Sequence, residues 1–108
     1  MGKYLVIGSY TAEGAKGVLK EGGTSRRAET ARLTESLGGK LEAYYFGLGE
    51  DDFYLIADMP DNVSVAAASL IAGATGTVRA RTIVLLTAEE ADMVKAKAAD
   101  VKFRAAGR

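Results

Sequence analysis

A chain of 108 residues is long enough for one domain with a small core. Its 14 basic and 14 acidic residues cancel to a formal net charge of +0, which excludes a general nucleic-acid binder that relies on basic excess. It has no Cys and no His, so disulfides, thiolate nucleophiles, Cys/His zinc sites, His-ligated haem and His acid–base catalysis are excluded. Proton transfer is left to Asp, Glu, Lys or Tyr, and the residue types point to no metal and no cofactor.

The opening segment, MGKYLVIGSY, has neither the apolar run of a signal peptide nor the length of a membrane span. A cytoplasmic protein without a membrane partner is the expectation. Lys3–Tyr10, rich in β-branched and aromatic residues, predicts a first strand. Thr11 caps a short helix from Ala12 to Glu21, which Gly22 and Gly23 end. Thr24 or Ser25 caps a second helix reaching Leu37, closed by Gly38-Gly39. Two aromatic strands, Lys40–Leu48 and Asp52–Met59, flank the turn Gly49-Glu50-Asp51. Pro60 stops the third strand, and Asp61 caps a helix from Asn62 to Thr75 that Gly76 ends. Thr77–Leu86 is the fourth strand. Thr87-Ala88-Glu89-Glu90 has the form of a capping box and opens a last helix to Ala99, with Ala88, Ala91, Val94, Ala98 and Val101 at helical spacing. Residues 1–100 form one domain and 101–108 a loose tail.

This order predicts an α+β fold: a ferredoxin-like βαββαβ antiparallel sheet, its first helix split and a C-terminal helix added. Helices cover one face of the sheet and leave the other open. Strict alternation sends Leu41, Ala43, Tyr45, Phe53, Leu55, Ala57, Met59, Val78, Ala80 and Val84 toward the helices. It sends Tyr44, Phe46, Tyr54, Ile56 and Ile83 to the open face, with Glu42, Asp58, Arg79 and Arg81. Strand one has no clean polarity and is not oriented by this rule. An open face with that many aromatics predicts packing on a second copy, as a homodimer or higher oligomer.

The segments KYLVIGSYTAEGAKGVLKEGGTSRRAE, SLGGKLEAYYFGLGEDDFYLIADMPD and VRARTIVLLTAEE resemble the GYD-domain family over nearly the whole chain. At the namesake Gly-Tyr-Asp signature the turn reads Gly49-Glu50-Asp51, with Glu50 in place of the tyrosine. The resemblance implies a ferredoxin-like domain of the dimeric α/β-barrel kind and assigns no activity.

Two regions are candidates for a site. Gly23, Thr24, Ser25, Arg26 and Arg27 start a helix, where free N–H groups and the dipole favour an anion; otherwise they are a plain helix junction with solvated arginines. On the open face, Glu42 or Asp58 would move protons, Tyr44 or Tyr54 would orient a ligand, and Phe46, Arg79 and Arg81 would hold it; otherwise the charges pair inside an interface. Glu50-Asp51-Asp52 reads as a solvated turn without the spacing of a calcium loop. The residues therefore support a small homo-oligomeric protein that binds an anionic or aromatic organic ligand and could act as a cofactor-independent enzyme. The alternative is a non-catalytic assembly protein whose open face is only an interface. The small-residue helix VSVAAASLIAGATG reads as a core helix or an additional oligomer contact.

Overall fold

The chain forms β1 (Gly2–Tyr10), α1 (Ala12–Glu21), α2 (Gly23–Ser36), β2 (Lys40–Phe46), β3 (Phe53–Met59), α3 (Asn62–Ala74), β4 (Val78–Leu85) and α4 (Ala88–Ala98). The computed structural model describes Met1–Arg108. All four strands join one antiparallel sheet in the order β2-β3-β1-β4. The connection from β1 to β2 passes β3, and that from β3 to β4 passes β1. This is the expected ferredoxin-like arrangement.

Local chemistry sets most of the boundaries. The Thr11 side chain accepts from the Gly14 N–H, and Asp61 accepts from the Ser64 N–H at 2.8 Å. Thr87 and Glu90 close a full capping box. Gly22 adopts φ 87° and serves both as the end of α1 and as the start of α2, a conformation that disfavours any side chain. α2 thus begins at Gly23 with no side-chain cap, and Thr24 and Ser25 lie inside its first turn rather than before it. The hairpin strands stop short of their predicted ends because the Gly47 N–H donates to the Asp52 carbonyl at 2.8 Å and closes the loop there.

The Asp61 cap has a pH signature. Hydrogen bonds from Ser64 hold the carboxyl below its ordinary value of 3.8. A depressed folded value means that the cap's contribution is complete above 3.8 and is lost as pH falls through the folded value. Asp61→Asn is expected to keep a competent cap while flattening this acid limb, measured as the urea midpoint against pH.

Strand pairing corrects the expected faces at one place. Leu41 lies opposite Ala57 and Ala43 opposite Ile56, so Glu42 is an extra residue, a β-bulge. One inserted residue reverses which side every later side chain takes. Tyr44 and Phe46 therefore lie on the helix side, not on the open face, and Tyr45 lies on the open face opposite Tyr54. β1 is oriented by its partners: Tyr4, Val6, Gly8 and Tyr10 point to the helices, while Lys3, Leu5, Ile7 and Ser9 point away.

The buried core is Tyr4, Phe53, Leu55, Ala57 and Met59, flanked by Val6, Tyr10, Leu37, Leu41, Tyr44, Val65 and Val78. α2 packs over β2, and α3 lies across β3 and β4. α4 makes no extended contact with any other element, and all its residues are exposed. The chain spans 56 × 34 × 22 Å, with a radius of gyration of 17.2 Å against about 13 Å for a compact domain of this length. No helix is long and apolar enough to cross a membrane.

Candidate functional site

The bulge builds the site. By turning Tyr44 and Phe46 under the helices, it forms a continuous aromatic group on that side of the sheet. Tyr44 stacks on Phe53 at 5.8 Å between centroids and 9° between planes, Tyr10 tilts against Phe53 at 5.3 Å, and Phe46 meets Tyr44 edge-on at 5.3 Å. Gly8, directly opposite Phe53, leaves the space that the Phe53 ring fills.

Between this aromatic group and α1, α2 and α3 lies a cavity of about 450 Å³, within the size range of small-molecule sites. Tyr4, Val6, Leu55, Leu33, Val65 and Val78 give it an apolar wall. Its helix side is polar, with Glu13, Glu21, Arg26, Glu29 and Arg32 on α1 and α2. The Tyr10 and Tyr44 hydroxyls lie 3.1 Å apart; one O–H is used between them and the other remains to donate to a ligand. Arg26, also on the wall, is 3.7 Å from the Glu21 carboxylate. Tyr4 donates to Asn62 at 2.6 Å, and Thr34 donates to the Thr30 carbonyl at 2.8 Å.

Burial pushes the Tyr10 phenol well above its ordinary value of 10.0, the hydrogen bond with Tyr44 adds to the rise, and Arg26 opposes it. The Tyr10 phenol is thus neutral at physiological pH and acts as a hydrogen-bond donor, not a base. Stability that this phenol retains below pH 10.0 is lost as pH rises toward the folded value, since only the unfolded chain then releases the proton. A spectrophotometric titration is expected to show a tyrosine ionising well above 10.0, and Tyr10→Phe to remove that late step.

The sequence-predicted residues divide among three places. Tyr44, Phe46, Gly23 and Arg26 gather on the helix side: Gly23 backs onto the Phe46 ring, so a side chain there would collide with it. Arg27 instead borders a shallow pocket at the bulge with Glu42 and Tyr45. Thr24 is exposed, and the Ser25 hydroxyl donates to Glu21 at 3.0 Å. Glu21 therefore supplies the negative charge that two arginines near a helix start call for.

Glu42, Asp58, Tyr54, Arg79 and Arg81 stay on the open face, apart from Tyr44. Lys3 donates to both Glu42 and Asp58 at 2.9 Å, and these two bonds, before burial acts against them, raise its ammonium above the ordinary 10.5. Arg81 reaches Asp51 at 3.4 Å. Two of the turn carboxylates are engaged by protein groups, Asp51 by Ser9 and Arg81 and Asp52 by the Tyr10 N–H at 2.7 Å, and no group of three or more acidic side chains is placed to hold a metal.

Tyr10 and Lys3 were not singled out by the sequence, because β1 shows no polarity of its own. Gly8 between Val6 and Tyr10 was the available signal: a glycine inside a strand often marks the close approach of another group, here the Phe53 ring.

No curated protein matches the chain. A solved protein of unknown function from Nitrosomonas europaea is similar at 18% identity and a TM-score of 0.44, over 81% of this chain and 91% of that one. The model of the GYD domain matches residues 4–94, a span that runs from the first core tyrosine into α4. The chain belongs to the GYD domain family.

Proposed function

We propose that the protein is a homo-oligomeric binder of a small organic ligand with an anionic or aromatic group, held between the helices and the sheet. The observation that carries this is the Tyr10–Tyr44 hydroxyl pair beside Arg26, on the wall of a cavity of about 450 Å³ whose sheet side is apolar and aromatic and whose helix side also bears Glu13, Glu21, Glu29 and Arg32. Phenol hydroxyls and a guanidinium suit a carboxylate, enolate or phenolate oxygen, while Phe53 and Tyr44 suit a planar body. Glu42 and Asp58, assigned from sequence to proton transfer, serve in this reading as partners of Lys3 on the opposite face. Tyr44 keeps its ligand-orienting role, with Tyr10 taking the place that sequence had given to Tyr54.

Titration with sodium benzoate, sodium salicylate and phenol, followed by amide and side-chain NMR shifts, tests the proposal. Shifts are expected at Tyr10, Tyr44, Phe53 and Leu55. Arg26→Gln is expected to weaken the carboxylates about tenfold or more and to spare phenol, since a bond to a charged group is worth about 1.5–3 kcal/mol. Tyr10→Phe is expected to weaken both. Absence of shifts at the cavity with all three probes counts against the binding reading.

The assembly reading draws on a different observation. The open face carries Leu5, Tyr45, Tyr54, Ile56 and Ile83 around the buried Ile7; Lys3 is already paired there with Glu42 and Asp58 and Arg81 with Asp51, as a buried interface requires, while Arg79 has no carboxylate partner. A second copy on this face leaves the cavity on the other side free, so dimerisation and ligand binding coexist.

A further inference from the structure

α4 is an element without a neighbour. Its 11 residues fall short of the length at which an isolated helix holds in water, about 12–15 residues, and a capping box alone does not make up the difference. It and its flanks expose Leu86, Met93, Val94, Val101 and Phe103. Its first two turns carry Glu89, Glu90 and Asp92, with no cation before Lys95.

The opposite charge waits at the far end of the open face. Arg79 lies opposite Ser9 and has no carboxylate within ion-pair range, and Arg81 has only Asp51 at 3.4 Å. Within one chain the two groups cannot meet. β4 carries the backbone from Arg79 to Leu85 in extended form, which by itself separates the α4 end of the strand from Arg79 by about 20 Å at 3.3 Å per residue. The acidic end of α4 therefore finds these arginines only on another molecule.

Area leads to the same place. Four strands of seven to nine residues make a face about 25 Å by 19 Å. Two such faces bury roughly 900 Å² together, short of the roughly 1,600 Å² of a standard stable interface. A second contact is needed; the exposed Val63, Leu70 and Ile71 of α3 lie on the helix side, whereas α4, with Met93 and Val94 exposed, continues from the β4 edge of the sheet and is placed to supply it.

We infer that two copies pack open face to open face with strand ends reversed, and that α4 of each crosses the Arg79–Arg81 end of the other. This rests on the open face being the dimer interface. A two-fold axis in the interface makes the contact isologous, so both arms dock alike.

The test is mass measurement by native mass spectrometry and light scattering at micromolar concentration. It uses the full chain, R79E/R81E, E89K/D92K, and an equimolar mixture of the two variants. All four positions are exposed, and circular dichroism checks that each variant stays folded. The wild type is expected to be a dimer and each variant alone to dimerise about tenfold or more weakly, because like charges then face each other at both contacts. The mixture is expected to regain a heterodimer, since each contact again joins opposite charges. A monomeric wild type would overturn the open-face interface together with the arm. A dimeric wild type that E89K/D92K leaves unchanged overturns the arm alone. Weakened variants that fail to combine overturn the pairing of these particular groups.

Discussion

Phe53→Ala is expected to cost about 3–5 kcal/mol, the usual range for removing a buried phenylalanine, and to lower the urea midpoint accordingly. Phe53 is 6% exposed, belongs to the core, and is touched by both Tyr10 and Tyr44. Its loss removes the platform of the cavity as well as core volume, so both tyrosine hydroxyls lose their positions. Domains of this size hold only about 5–15 kcal/mol in total, which makes this the side chain whose removal threatens the fold most. A second substitution tests the cause. A Cβ at Gly8 would lie 2.0 Å from Phe53 Cζ, so Gly8→Ala alone is expected to destabilise by about 1–3 kcal/mol through overpacking. In the Phe53→Ala background most of that cost should vanish, because the ring that caused it is gone. Equal costs in both backgrounds would show that Gly8 is required for some other reason.

Gly14→Ala is expected to destabilise by about 1–3 kcal/mol, although alanine is the better helix former by about 1 kcal/mol. Gly14 is the buried residue of α1, and a Cβ there would stand 2.0 Å from the Thr77 carbonyl oxygen. That oxygen is backbone, and it accepts from the Thr11 N–H at 3.0 Å, so it cannot swing aside as a side-chain end would. Gly17, one turn later, meets nothing within 4 Å. Gly17→Ala is expected to stabilise by about 0.5–1 kcal/mol. The pair of midpoints separates sterics from propensity: opposite signs support the close α1–β4 approach, and two stabilising results would show that α1 sits farther from Thr77.

The element order was legible in the sequence because the signals are local. Thr11, Asp61 and Thr87 each satisfy N–H groups within three residues, and Gly76 and Pro60 stop their elements through their own backbone restrictions. The alternation of Phe53, Leu55, Ala57 and Met59 identified the buried face of β3 because β3 itself carries no inserted residue, the bulge lying on β2. Arg26 was also singled out in the sequence, as a positive charge near a helix start, and it lies on the cavity wall.

The site itself depended on the tertiary structure. Nothing in LEAYYF marks Glu42 as the inserted residue; the bulge exists because Leu41 and Ala43 both find partners on β3, a register set by a neighbouring strand. That single insertion decides whether Tyr44 stands with Tyr54 in the open or with Tyr10 in the cavity. β1 shows the same limit from another side. Its apolar residues run without alternation because Tyr4 and Val6 face the core while Leu5 and Ile7 lie on the opposite face. Composition, caps and turns are encoded by neighbours along the chain and were determined by the sequence alone. Which tyrosines share a cavity, and which helix is left without a partner, are settled by contacts between residues far apart in sequence.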